Sequence, residues 1–386
     1  MKSINLYTLL VAAIILSAPF AAQAQDNTQQ LETEVLCLPG VHVSTPVDCL
    51  PLGPSEYITR QAESGINLPL QPLVAQTPDP ELARNPYYYA QIKTDFAAVY
   101  SSITDAATKG AVPRRYIEPG LGFVSYIEMR QVENKKFYMI TPGEWMRGED
   151  LNAGISTSAF MGKQFLQTPT RKFGWILFPQ ESQLTPGNEV LDLTGRQYTR
   201  FDMIQVYQSV EVGGLTWYLI GPDEWVEGRH VALVYPKPTP PQGVENGRWI
   251  EINLYEQTVS VYENNHLVFA TLTSSGVYGW WTRPGLFQVT EKQESTPMTG
   301  SFKADRSDYY YLEDVPYAMY FDESRAFHGA YWHNQYGYER SHGCANLSLG
   351  DSAWLFNWAT LGDWVYVWDP SGETPVDPSL YSAGGA

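Results

Sequence analysis

The sequence predicts a mainly β chain, and three observations carry that reading. The aromatic load is heavy, with 12 Trp, 26 Tyr and 15 Phe in 386 residues, and such side chains favour pleated, half-buried surfaces. Short apolar runs are broken at close intervals by Gly, Pro, Asn and Asp, the punctuation of strands and turns rather than of long helices. One fifteen-residue stretch also occurs twice. Phe137–Leu151 (FYMITPGEWMRGEDL) aligns with Trp217–Val231 (WYLIGPDEWVEGRHV) at a constant offset of 80, as two copies of one small module would.

The length allows two or three domains. An apolar share of 44% with 17% charged residues suits globular domains and excludes a wholly disordered chain. The formal charge of −17 excludes nucleic acid and anionic lipid as main partners.

Taken in order, residues 1–24 have a secretory layout. Lys2 precedes the apolar run Leu6–Ala18, and Ala22-Gln23-Ala24 offers a small-x-small cleavage site. That run is too short to span a membrane comfortably, so the expectation is export to a periplasm or cell-wall space. No integral membrane segment would remain in the mature chain; a retained signal anchor is the alternative. Residues 25–90 are rich in Gln, Pro, Thr and Ser and read as a loosely ordered leader. Within it Cys37 and Cys49 lie twelve apart across a Pro- and Gly-containing loop. Outside the cytoplasm that spacing suits a disulfide, worth about 3 kcal/mol for so short a loop; two free thiols are the alternative. Apolar residues at helical spacing predict a short helix over 89–108.

Residues 91–235 hold the two repeated β-rich modules. Pro142, Glu144, Trp145 and Gly148 match Pro222, Glu224, Trp225 and Gly228, and upstream Val124 corresponds to Ile204. The repeated Trp serves as core or barrel plug more naturally than as a glycan-stacking platform. Residues 236–247 (PKPTPPQGVENG) form a semi-rigid linker. The C-terminal domain, 248–369, opens on Trp249–Tyr262, which alternates apolar and polar residues. A turn at 263–265 and a returning strand, His266–Thr273, complete a hairpin. A helix over 351–358 and a strand over 363–368 follow. Residues 370–386 read as a flexible Gly/Ser/Pro tail.

The chemistry concentrates in His328–Cys344 (HGAYWHNQYGYERSHGC), which holds three of the six histidines and one of the three cysteines. Histidine titrates near neutrality, and a deprotonated cysteine is the strongest ordinary nucleophile. With Cys37 and Cys49 paired, Cys344 is left odd, a mark of a reactive thiol. Acyl transfer needs a nucleophile, a base and oxyanion donors; Cys344, His328 and the Gly343 and Cys344 backbone N–H groups supply them. His333 is an alternative base. The same histidines with Cys344 could also ligate zinc, although their spacings match no common zinc motif.

The C-terminal domain resembles the L,D-transpeptidases of bacterial cell-wall synthesis, the cysteine enzymes with a YkuD-type domain. The likeness covers about 120 residues, Trp249 to Trp368, and rests on HGAYW at His328 and SHGCAN at Ser341–Asn346. LSLGDSAWLFNW, GDWVYVW, TRPGLFQV (Thr282–Val289) and PYAMYF (Pro316–Phe321) add to it. The repeats resemble, in texture only, the SH3-like modules that accompany cell-wall enzymes. The resemblance implies a β-sandwich with a short helix, preceded by the two modules. It implies Cys344 as nucleophile, His328 as proton donor and acceptor, His342 in an electrostatic role and Gly343 as oxyanion donor. Ser341, Asn346, Trp332, His333 and Tyr320 would meet substrate. Many relatives carry Arg where this chain has Asn346.

The implied partner is peptidoglycan. Cys344 would take the acyl group of a tetrapeptide stem and pass it to a neighbouring stem in a 3→3 cross-link, with no cofactor or metal and with sensitivity to carbapenems. Water as acceptor would make the activity L,D-carboxypeptidase, and a protein lysine would make it protein anchoring. The rival of another class is a non-catalytic wall-binding protein in which the repeats bind glycan.

Overall fold

The structure, a computed structural model, describes residues 54–187 and 192–381. The expected signal peptide and the Cys37–Cys49 pair lie outside the described residues. The chain divides into two units after Thr59. The described part of the first is the opening of a helix, Pro54–Glu63. All the described strands lie in the second.

The fold is mainly β, as the composition implies. Two sheets face each other across the C-terminal domain. One runs in the order 75–76, 163–165, 266–272, 258–263, 249–253, 364–368, 285–288. The other runs 345–347, 325–329, 310–322, 121–126, 88–92, 151–153, with 291–300 paired on 310–322. Ile250, Val261 and Phe269 from the first sheet meet Met319, Phe327 and Leu347 from the second, all fully buried. Each such side chain contributes about 1.5–3 kcal/mol relative to exposure. The helix Leu349–Trp358 closes this core, with Trp354 stacked on Phe269. Ser348 caps it by accepting from the Asp351 N–H at 3.2 Å.

The duplication is structural as well as sequential. The first copy forms a five-stranded sheet in the order 115–117, 97–100, 144–147, 135–141, 128–132. The second forms one in the equivalent order 193–198, 180–183, 224–227, 215–221, 208–212. Each also has a three-strand element, 121–126/88–92/151–153 in the first and 203–205/173–176/231–234 in the second. Trp145 is buried and Trp225 half-buried, so neither is an open stacking platform.

Several expectations are corrected. The helix expected over 89–108 is instead two strands, Tyr88–Ile92 and Ala97–Tyr100, and a five-residue helix, Ile103–Ala107. Short apolar runs fit either period. Here Phe96 at φ 52 turns the chain, and sheet partners on both sides settle the outcome. The alternating run Trp249–Tyr262 is two strands, Trp249–Asn253 and Thr258–Glu263, because the chain reverses at Gln257 (φ 53). The leader is ordered over its last third: Ala75–Gln76 pairs with Lys163–Phe165 and Tyr88–Ile92 joins the second sheet. Among the linker residues, Val244 is buried in the core, and the Lys237 ammonium bonds Glu251 at 3.0 Å and lies 3.4 Å from the Trp368 ring centroid. The tail folds back as far as Tyr381, whose ring lies 5.2 Å from the Arg325 guanidinium.

Candidate active site

Two short parallel strands build the centre of the site. Arg325–Gly329 pairs with Ala345–Leu347 in a register that sets His328 beside Asn346. Cys344 ends the bend that leads directly into the second strand. His328 and Cys344 line one cleft with Ser341, His342, Trp332 and Asn346. His333 contacts this cleft through Asn346, and Gly343 adjoins Cys344 in its loop.

The loop carrying the thiol is tightly held. Gly343 has φ +120, a conformation that favours glycine, and a Cβ there would meet the Arg325 Nε at 3.2 Å. Its carbonyl accepts from the Thr282 hydroxyl at 2.8 Å. Ser341 Oγ accepts from the Gly343 N–H at 3.1 Å and donates to the Cys344 carbonyl at 2.5 Å. The Gly343 N–H, expected to face an oxyanion, is therefore engaged by Ser341 in this state. A serine two residues upstream competes for any N–H that turns inward.

Burial favours the neutral form of both Cys344 and His328. Burial pushes the Cys344 thiol up to about 11, against the opposing influence of the Ala326 N–H and the Arg325 charge. Its Sγ–H points to the Ser324 carbonyl at 3.8 Å. Burial likewise pulls His328 down to about 4, and the Gly329 backbone offsets this only in part. His328 Nδ1 is buried with no hydrogen bond of ordinary geometry, and the adjoining Gly329 backbone is the group that acts on the ring.

His333 is held differently. Its Nδ1 accepts from the Gln335 N–H at 3.2 Å and its Nε2 lies 3.0 Å from the Asn346 amide. Burial brings this ring also down to about 4. With the Gln335 N–H on Nδ1 and the Asn346 Nδ2 against Nε2, both ring nitrogens of His333 are engaged. That leaves His333 no free basic nitrogen, whereas His328 has both ring nitrogens uncommitted to side-chain partners. His342 sits among Trp280, Phe302 and Tyr310 with ring centroids 4.4, 4.9 and 5.5 Å away. Burial lowers its pKa while Asp308 opposes.

Sequence reasoning missed Arg325, Asp322 and Arg283. Asp322 is nearly fully buried, takes Arg283 on both oxygens and pairs with Arg325 at 3.1 Å. Arg325 is itself buried, with its Nε against the Gly343 α-carbon. In sequence this is DESR between two strands, indistinguishable from a solvated turn. The zinc alternative has no geometry to support it: among the described residues no group of three or more His, Cys, Asp or Glu could hold a metal ion.

A buried thiol, an imidazole on the neighbouring strand and a pinned Gly-Cys turn thus share one cleft of the β-sandwich. Residues 247–367, just under a third of the chain, match the YkuD family, the L,D-transpeptidase catalytic domain. No curated protein matches the chain. Among solved structures it is similar to the avibactam carbamoyl enzyme of Ldtfm (27% identity, covering 32% of this chain and 49% of that one, TM-score 0.30). It is similar to the L,D-transpeptidase (Yku) from Stackebrandtia nassauensis (26%, 35% and 60%, TM-score 0.27). A third is the catalytic domain of E. faecium L,D-transpeptidase acylated by ertapenem (27%, 33% and 100%, TM-score 0.29). The chain spans about half the length of the first of these.

Proposed function

We propose that the protein is a cysteine-dependent L,D-transpeptidase that acts outside the cytoplasm on the tetrapeptide stems of peptidoglycan. The observation that carries this reading is that His328 and Cys344 line one cleft, inside the segment that matches the YkuD family. Cys344 Sγ attacks the carbonyl between the L-centre of diaminopimelate and the terminal D-Ala as His328 takes the thiol proton. His328 returns that proton to the departing amine, D-Ala leaves, and a thioester remains on Cys344. The amine of a second stem displaces the sulfur to give a 3→3 cross-link. Because burial favours the neutral form of both groups, the ion pair forms only when substrate displaces water and brings its carbonyl to the sulfur. The oxyanion faces the Cys344 N–H, joined by Gly343 once Ser341 releases it. His342 lends its ring edge to the same region, and Asn346 holds His333 and the loop above the cleft.

The mature protein incubated with disaccharide-tetrapeptide, beside Cys344→Ala, tests the reading by mass spectrometry. Release of D-Ala with a cross-linked dimer, absent in the variant, supports it. D-Ala without dimer would assign water or a protein lysine as acceptor, and no release from the wild type would overturn it. The same chemistry predicts a carbapenem adduct on Cys344.

A further inference from the structure

The two repeats meet the catalytic domain through the same turn. At the offset of 80, Gly120-Leu121 corresponds to Arg200-Phe201. In the second copy Arg200 Nη2 donates to the Tyr336 carbonyl at 3.1 Å, so that this turn grips the loop between the two histidine motifs. In the first copy the turn reaches the cleft itself. The Leu121 N–H donates to the Tyr309 carbonyl at 2.9 Å, and Leu121 pairs in parallel register with Tyr310 at the start of the long strand of the catalytic sheet. Leu121 lines the same cleft as His328 and Cys344, beside Met298 and Leu312, yet remains 43% exposed.

An exposed leucine at the mouth of a reactive cleft, on a strand fixed by backbone pairing, is a preformed apolar wall. Its position cannot drift, because a Cβ at the preceding Gly120 would lie 2.1 Å from the Tyr309 carbonyl. Only that glycine lets the repeat approach so closely. We propose that Leu121 of the first repeat is a substrate-contacting, specificity-determining residue of the active site, packing on the aliphatic part of the acyl-donor stem. This rests on the transpeptidase reading above. The first repeat then acts as part of the enzyme's cleft rather than as a detached wall-binding module. A stem peptide is rich in carboxylates, so a carboxylate at position 121 would oppose it.

The test uses the full mature chain. Affinity for disaccharide-tetrapeptide is measured by calorimetry in a Cys344→Ala background, with and without Leu121→Glu. Leu121→Ser serves as a second variant, and Leu361→Glu, on an exposed turn outside the cleft, as the charge control. Alkylation of Cys344 by iodoacetamide in the single Leu121 variants checks that the catalytic loop is intact. The expected result is a loss of affinity of about tenfold or more for Leu121→Glu and a smaller loss for Leu121→Ser. The affinity of Leu361→Glu and the alkylation rate of Leu121→Ser stay unchanged. Equal affinities with and without Leu121→Glu, in a protein whose wild type releases D-Ala, would overturn the inference and leave the transpeptidase reading standing. A wild type that neither binds nor cleaves the stem would overturn both.

Discussion

The two repeats share a motif and a sheet order, yet the structure uses them differently. The first copy is sewn into the catalytic sheet: Leu121–Tyr126 pairs in parallel with Tyr310–Leu312. The second keeps its three-strand sheet separate and packs by side chains, with Phe173, Trp175 and Leu177 joining the core cluster of Trp249, Tyr262 and Tyr336. Backbone pairing fixes register, whereas side-chain packing fixes only proximity. The first copy can therefore place one residue at the cleft, and the second can only brace the loop above it.

The largest effect should come from breaking the sewn contact. Gly120→Val puts a branched side chain into the Tyr309 carbonyl at a glycine-favouring φ of +149. It should cost about 3 kcal/mol or more in urea unfolding. Arg200, the equivalent position, is half-buried and only one contact among many, so Arg200→Ala should cost under about 1 kcal/mol. Equal costs would remove the distinction between the copies.

Next comes the charge beneath the sulfur. Arg325 opposes the upward push of burial on Cys344, so Arg325→Gln should move the thiol above its present value of about 11. Alkylation of Cys344 at pH 8 should slow by roughly three- to tenfold, and Arg325→Lys should restore most of the rate. A smaller effect is expected at the join between first copy and catalytic sheet. Glu313 accepts from the Ser125 N–H at 3.1 Å, and burial raises its carboxyl to about 7. A carboxyl with a raised folded pKa contributes stability that is full below its unfolded value and fades as pH rises through about 7. Glu313→Gln should flatten that decline between pH 5 and 8, by on the order of 1 kcal/mol, in unfolding curves measured across the range. The smallest effect is again at Arg200: Arg200→Ala should speed proteolysis between Trp332 and Tyr338 without altering Cys344 alkylation.

Much of this was legible in the sequence. The duplication, the reactive segment, the helix after Asn346 and the last strand lie in local patterns and stand close to where those patterns put them. Tertiary pairing was not legible. The run 89–108 scans at helical spacing, yet Tyr88–Ile92 finds sheet partners on both sides. Asp322 and Arg325 look like turn charges until burial and mutual pairing are seen. His333 has both ring nitrogens engaged by Gln335 and Asn346, which favours His328 as the proposed base, and spacing carries no such information.

That choice also yields the most direct test of the account. Intact mass spectrometry of protein quenched during turnover of disaccharide-tetrapeptide would compare wild type with His328→Ala, His333→Ala and Cys344→Ala. An acyl adduct in the wild type and in His333→Ala, lost in His328→Ala and Cys344→Ala, is the predicted result. An adduct that survives in His328→Ala and disappears in His333→Ala would contradict it.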